Sequence, residues 1–212
     1  MISIQKIKEP DALKVYRLSG GIYDGEHFTE VKDEIRKALL QEQGFICAYC
    51  MRRIEKNNMK VEHWLCQSDN DGLTLIYSNL LGCCKGYDGD KRSKLKTCDT
   101  KKGNKKLKYN PSNNLSRINQ IIKYNGDGRI SSTDEEFSEQ LDSVLSLNYF
   151  RLIQNRKELF SVIRRKLSEK PGTRTNEEKR RILERFMTRD KNGKLFEYCG
   201  VVNYYLNKLI NK

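Results

Sequence analysis

Long apolar runs are missing from this chain of 212 residues. Hydrophobic side chains make up 37% of it, mean hydropathy is −0.78, and no run approaches the roughly 18 apolar residues that a membrane-crossing helix needs. The first residues, MISIQKIKEP, offer neither an apolar h-region nor a small-residue cleavage site, so no secretory signal is read there and a cytoplasmic protein, away from membranes, is expected. Histidine is scarce, with His27 and His63 the only two. Internal repeats and low-complexity tracts are absent, which excludes solenoids and disordered tails as the main architecture.

Acidic charge is also in deficit. Against 41 Lys plus Arg stand 28 Asp plus Glu, for a net charge of +13. The surplus is uneven: residues 1–44 carry −1, 45–108 carry +7, 109–149 carry −3 and 150–212 carry +10. Such a field favours a polyanionic partner, most simply nucleic acid. Seven cysteines in a reducing compartment do not suggest a disulfide framework. Six of them lie between Cys47 and Cys98, whereas Cys199 sits in an apolar stretch and reads as core.

Periodicity divides the chain into an N-terminal segment, 1–44, a cysteine-bearing unit, 45–108, and a basic C-terminal region, 109–212. Residues 28–43 place Val31, Ile35, Ala38 and Leu39 on one helical stripe, with Gly44 where a C-cap glycine belongs. A strand is expected over 59–64, and an exposed basic loop over 85–97. Asn125-Gly-Asp-Gly128 between two short extended runs reads as a hairpin. Thr133 with Glu136, and Thr175 with Glu178, read as capping boxes ahead of helices, and further helices are expected around 149–168 and 195–210.

The chemistry concentrates in the middle unit. Cys47 and Cys50 have the spacing that lets two thiolates meet one tetrahedral zinc; Cys66, Cys83, Cys84 and Cys98 are candidates for the other two ligands. Between them lies Glu62-His63 at the end of the strand, followed by Asn79 and by Cys98-Asp99. At a strand end, local twist lets one of two neighbouring groups hold a metal while the other faces the water it activates. Tyr49 and Trp64 read as packing around the knuckle, with base stacking as the alternative.

The order Cys47-Ala-Tyr-Cys50, Val61-Glu62-His63-Trp64, Ser78-Asn79-Leu80-Leu81-Gly82-Cys83-Cys84 and Cys98-Asp99-Thr100-Lys101-Lys102-Gly103 resembles the zinc-knuckle HNH endonucleases with their ββα-metal core. Counted from Asn79, the resemblance assigns zinc to Cys47, Cys50, Cys84 and Cys98. It also implies that Glu62 and Asp99 hold catalytic Mg²⁺ or Mn²⁺, that His63 is the general base and that Asn79 fixes the loop that orients it. Lys101, Lys102, Lys105, Lys106 and Lys108 would follow on the family's short helix, within reach of phosphates. Glu62 stands where Asp is commoner, Asp99 where His or Asn is usual, and 13 residues separate Cys84 from Cys98. These departures resemble one subgroup, the HNH component of Septu-type anti-phage systems, which also occurs beside retrons.

The expected fold class is therefore α+β: a ββα-metal core with a zinc knuckle, an N-terminal helix and a mostly helical C-terminal region. The activity implied is metal-dependent hydrolysis of DNA phosphodiesters in antiviral defence. The partners implied are an ABC-like ATPase docked by the tail and, in the retron setting, the reverse transcriptase with its msDNA. Two alternatives stand beside this reading: a nuclease for RNA such as tRNA, and a non-catalytic zinc-knuckle adaptor that binds nucleic acid. A thiol redox protein is disfavoured, since no βαβ pattern surrounds Cys47 and Cys50.

Overall fold

The apolar stripe of residues 31–39 faces inward along α2, Phe28–Gln43, in a computed structural model that describes residues 1–86, 96–169 and 172–211. Gly44 ends this helix with φ 62, and a Cβ there would meet Leu195 at 2.5 Å, so both conformation and space require glycine. A shorter helix, α1, Asp11–Leu18, precedes it and was not foreseen from the sequence. It buries only Leu13, too little apolar patterning to announce a helix.

The middle unit grows from the end of α2. Ile46 and Arg53 pair in an antiparallel bridge, and Cys47 N–H donates to Arg52 O at 2.8 Å, closing a tight turn that carries Cys47 and Cys50. Strands β1, Met59–His63, and β2, Leu80–Cys84, run antiparallel, with Met59 opposite Cys84 and His63 opposite Leu80. The buried amide of Gln43 stitches the pieces together: its Nε2 donates to Ile46 O and Gly82 O, and its Oε1 accepts from Gly82 N–H. Helix α3, Cys98–Lys102, packs against β2. The expected loop 85–97 falls mostly on residues 87–95, outside the described residues; at its base, Thr97 N–H donates to Gly86 O at 3.0 Å.

The C-terminal region opens with α4, Ile118–Ile121, then β3, Ile122–Tyr124, paired antiparallel with β4, Ile130–Ser132, across the expected turn. Four helices follow: α5, Glu135–Ser143; α6, Phe150–Ser168; α7, Asn176–Met187; and α8, Cys199–Ile210. The capping box at Thr175 and Glu178 is present. The other differs from expectation: Asp134, not Thr133, is the N-cap, because its carboxylate accepts from Phe137 N–H. Helix α8 starts later than expected because Leu195 N–H donates to Gly44 O and Tyr198 N–H to Met51 O, which holds 195–198 against the middle unit.

Helices α5, α6 and α8 share the core of the middle unit, while Phe186 of α7 packs with Ile163, Val202 and Leu206 in a second cluster. One continuous apolar cluster runs from Met1 through Leu39, Cys83 and Phe137 to Cys199 and Val201, so Cys199 is core as expected. Arg53 fastens the tail by donating to Gly44 O, Phe45 O and Leu195 O. Arg156, only 1% exposed, donates to Gly128 O and Leu147 O, which satisfies carbonyls that would otherwise cost about 1–3 kcal/mol each to bury unpaired. No helix among the described residues is long and apolar enough to cross a membrane.

Candidate active site

The turn, β2 and α3 bring Cys47, Cys50, Cys84 and Cys98 together, with all four sulfurs within 4.8 Å of one another and all four residues buried. Bonds of about 2.3 Å to a tetrahedral zinc imply sulfur-to-sulfur edges of roughly 3.8 Å; Cys50 and Cys84 stand 3.7 Å apart. The cluster can hold a metal ion such as zinc. Cys83 points the other way from its neighbour in β2, stays outside the set, and is pushed up to about 12 by burial. Hydrogen bonds from Cys47, Cys50 and Cys98, helped by the charge of Arg52, hold Cys84 far below an ordinary thiol. Arg52 Nη2 donates to its sulfur at 3.2 Å. Burial pushes Cys47, Cys50 and Cys98 up, so metal binding would release their protons.

Strand β1 and helix α3 bring two carboxylates together. Glu62, near the end of β1, is 4% exposed. Its Oε1 accepts from Tyr49 Oη at 2.9 Å and pairs with Lys102 Nζ at 2.8 Å. Burial, then the hydrogen bond and like charge of Asp99, raise Glu62 well above an ordinary carboxylic acid, with Lys102 opposing. Asp99 follows Cys98 directly on α3, and Lys60 Nζ stands 3.8 Å from its Oδ2. Two adjoining hard oxygen donors suit a divalent cation that keeps several waters.

His63 has a fixed tautomer. Its Nε2 lies 2.9 Å from Thr74 O, and a carbonyl only accepts, so Nε2 carries the proton and Nδ1 is the acceptor. Gln67 Nε2 donates to Nδ1 at 2.9 Å. The edge-on ring of Tyr23 stands 4.6 Å from the imidazole, and burial lowers the His63 pKa. Asn79 ties the two ends of the intervening loop: Oδ1 accepts from Leu65 N–H, and Nδ2 donates to Leu65 O and Leu73 O. With Leu73 fixed, its neighbour Thr74 presents the carbonyl that orients His63.

Glu62, His63 and Asp99 line one cavity of about 250 Å³, together with Val61, Cys66, Gln67, Gly103 and Asn104. Cys66 thus belongs to the cavity and not to the cysteine cluster. Lys102 corrects an expectation: its ammonium is buried against Glu62 and His63 O, turned away from any phosphate on the surface. Lys108 is engaged by Asp134 and Glu136, while Lys105 and Lys106 are exposed. Trp64 packs against the core, as does fully buried Tyr49. The hydroxyl contact of Tyr49 and the role of Gln67 are what the sequence reading missed. Gln67 follows His63 by four residues, but on an irregular loop that spacing predicts no contact. Neither a family model nor a curated protein matches this chain.

Proposed function

We propose that the chain is a metal-dependent HNH endonuclease that hydrolyses DNA phosphodiesters, with a ββα-metal core formed by β1, β2 and α3. The observation that carries this reading is the convergence of Glu62, His63 and Asp99 on one cavity, with Asp99 next in the chain to Cys98 of the cysteine cluster. Glu62 and Asp99 would hold Mg²⁺ or Mn²⁺, which would supply charge stabilisation at the phosphate and leaving oxygen. His63, neutral at pH 7 and with its Nε2–H engaged by Thr74, takes a proton on Nδ1 from the attacking water, a contribution of about 10² to 10⁴ in rate. Gln67 donates to that same lone pair, so its amide gives way to the water before proton transfer. Cys47, Cys50, Cys84 and Cys98 would hold zinc, which would tie the turn, β2 and α3 together.

The order of these residues, with the long separation between Cys84 and Cys98, also supports a role as the nuclease of a Septu-type defence complex with an ABC-like ATPase. The test is cleavage of phage DNA by the purified protein in Mn²⁺ or Mg²⁺, with and without its neighbouring ATPase. Cleavage that requires His63 and the divalent ion, and that rises with the ATPase, is expected. Zinc-loaded protein that binds DNA without cutting DNA or RNA would overturn the reading in favour of an adaptor.

A further inference from the structure

Two of the three elements that carry the cysteine cluster, the turn and α3, touch one oxygen of Glu62. Tyr49 lies between Cys47 and Cys50 and donates its hydroxyl to Glu62 Oε1 at 2.9 Å. Helix α3 starts at Cys98 and ends at Lys102, whose ammonium lies 2.8 Å from that same oxygen. With Oε1 held on two sides, Oε2 is the oxygen left to work beside Asp99, which itself follows a cysteine of the cluster. Tyr49 is fully buried, so its hydroxyl has no water to exchange with, and burial keeps the phenol protonated as a donor.

We infer that Tyr49 is a positioning residue through which the cysteine cluster sets the affinity of the Glu62–Asp99 pair for a divalent cation. This rests on the nuclease reading above. The cluster then does more than hold the fold together: a metal bound there fixes the turn, the turn fixes the phenol, and the phenol aims the carboxylate. Hydrogen bonds that orient a ligating carboxylate typically change metal affinity or activity by about 10- to 100-fold.

The test compares the full-length protein with Tyr49→Phe, which keeps the buried ring and deletes only the hydroxyl. Zinc content is measured by elemental analysis and Mn²⁺ affinity by calorimetry and electron paramagnetic resonance, without substrate. At equal zinc content, Tyr49→Phe is expected to bind Mn²⁺ about 10-fold more weakly, and its cleavage is expected to recover at high Mn²⁺. Equal Mn²⁺ affinity in the two proteins would overturn the inference and leave the nuclease reading intact. Absence of Mn²⁺ binding by the wild type would instead defeat the nuclease reading itself. If Tyr49→Phe loses zinc, zinc is titrated back: affinity that returns to wild type overturns the inference, and affinity that stays weak with the cluster filled supports it.

Discussion

The cysteine cluster and the carboxylate–histidine cavity meet at α3, which carries both Cys98 and Asp99, yet they differ in burial and in ligand chemistry. The cluster offers four soft ligands, none more than 5% exposed. The cavity offers two hard carboxylates and a neutral imidazole around about 250 Å³ of open space, and the Asp99 side chain keeps 19% of its surface accessible. Closed tetrahedral sulfur sites serve structure, and open oxygen sites leave room for water and substrate. On the proposed reading one metal would serve folding and another chemistry, with α3, which carries both Cys98 and Asp99, common to the two.

The comparison breaks most sharply at the cluster. Cys84→Ser is expected to lower zinc content and to unfold much of the protein at 37 °C, since structural zinc contributes about 10 kcal/mol or more in small metal-dependent folds. Cys83→Ser is expected to keep the zinc, with a melting temperature lowered by only a few degrees. Elemental analysis and thermal denaturation check both. At the cavity, His63→Ala is expected to reduce DNA cleavage by about 10² to 10⁴ while zinc content and melting temperature stay close to wild type, as steady-state assays beside calorimetry would show.

Protons sharpen the contrast further. Glu62 in the folded protein lies above its ordinary value of 4.5, so in the metal-free cavity its contribution to stability is present below that value and is lost as pH rises through the folded pKa. Adding Mn²⁺ is expected to reverse this trend, raising the melting temperature more at pH 7.5 than at pH 5.5. His63 runs the other way: its pKa lies below the ordinary 6.5, so its contribution is present above that value and lost as pH falls through the folded pKa. A melting temperature gain from Mn²⁺ independent of pH would place the ion away from Glu62. The smallest expected effect concerns α5: Asp134→Ala is expected to cost about 1 kcal/mol and Thr133→Ala close to nothing, read by urea denaturation.

Legibility in the sequence followed the same division. Helix α2, the hairpin at 125–128 and the box at Thr175–Glu178 could be read because each rests on a local rule: period, turn chemistry, capping. At α5 the same rule picks the wrong residue: Thr133 reads as the cap, whereas backbone geometry gives the role to its neighbour Asp134. Cys84 and Cys83 differ by one residue in a strand, which decides the face; the residues alone leave both open, and the family resemblance points to Cys84, which lies in the cluster. Lys102 in its basic run reads as solvated, yet its position four residues after Cys98 puts both on the same buried side of α3. The contacts of Tyr49 with Glu62 and of Gln67 with His63 depend on how the turn and loop pack across β1, and no sequence period encodes that.

The most direct test of the division between the two centres is nicking of supercoiled plasmid by wild-type protein and by His63→Ala, each shown to contain one zinc, in Mn²⁺ and after EDTA treatment that leaves the zinc in place. The account predicts nicking by the wild type in Mn²⁺ alone, with a rate about 10² or more below it for His63→Ala. Equal rates for the two proteins, or nicking that survives removal of the divalent ion, would contradict it.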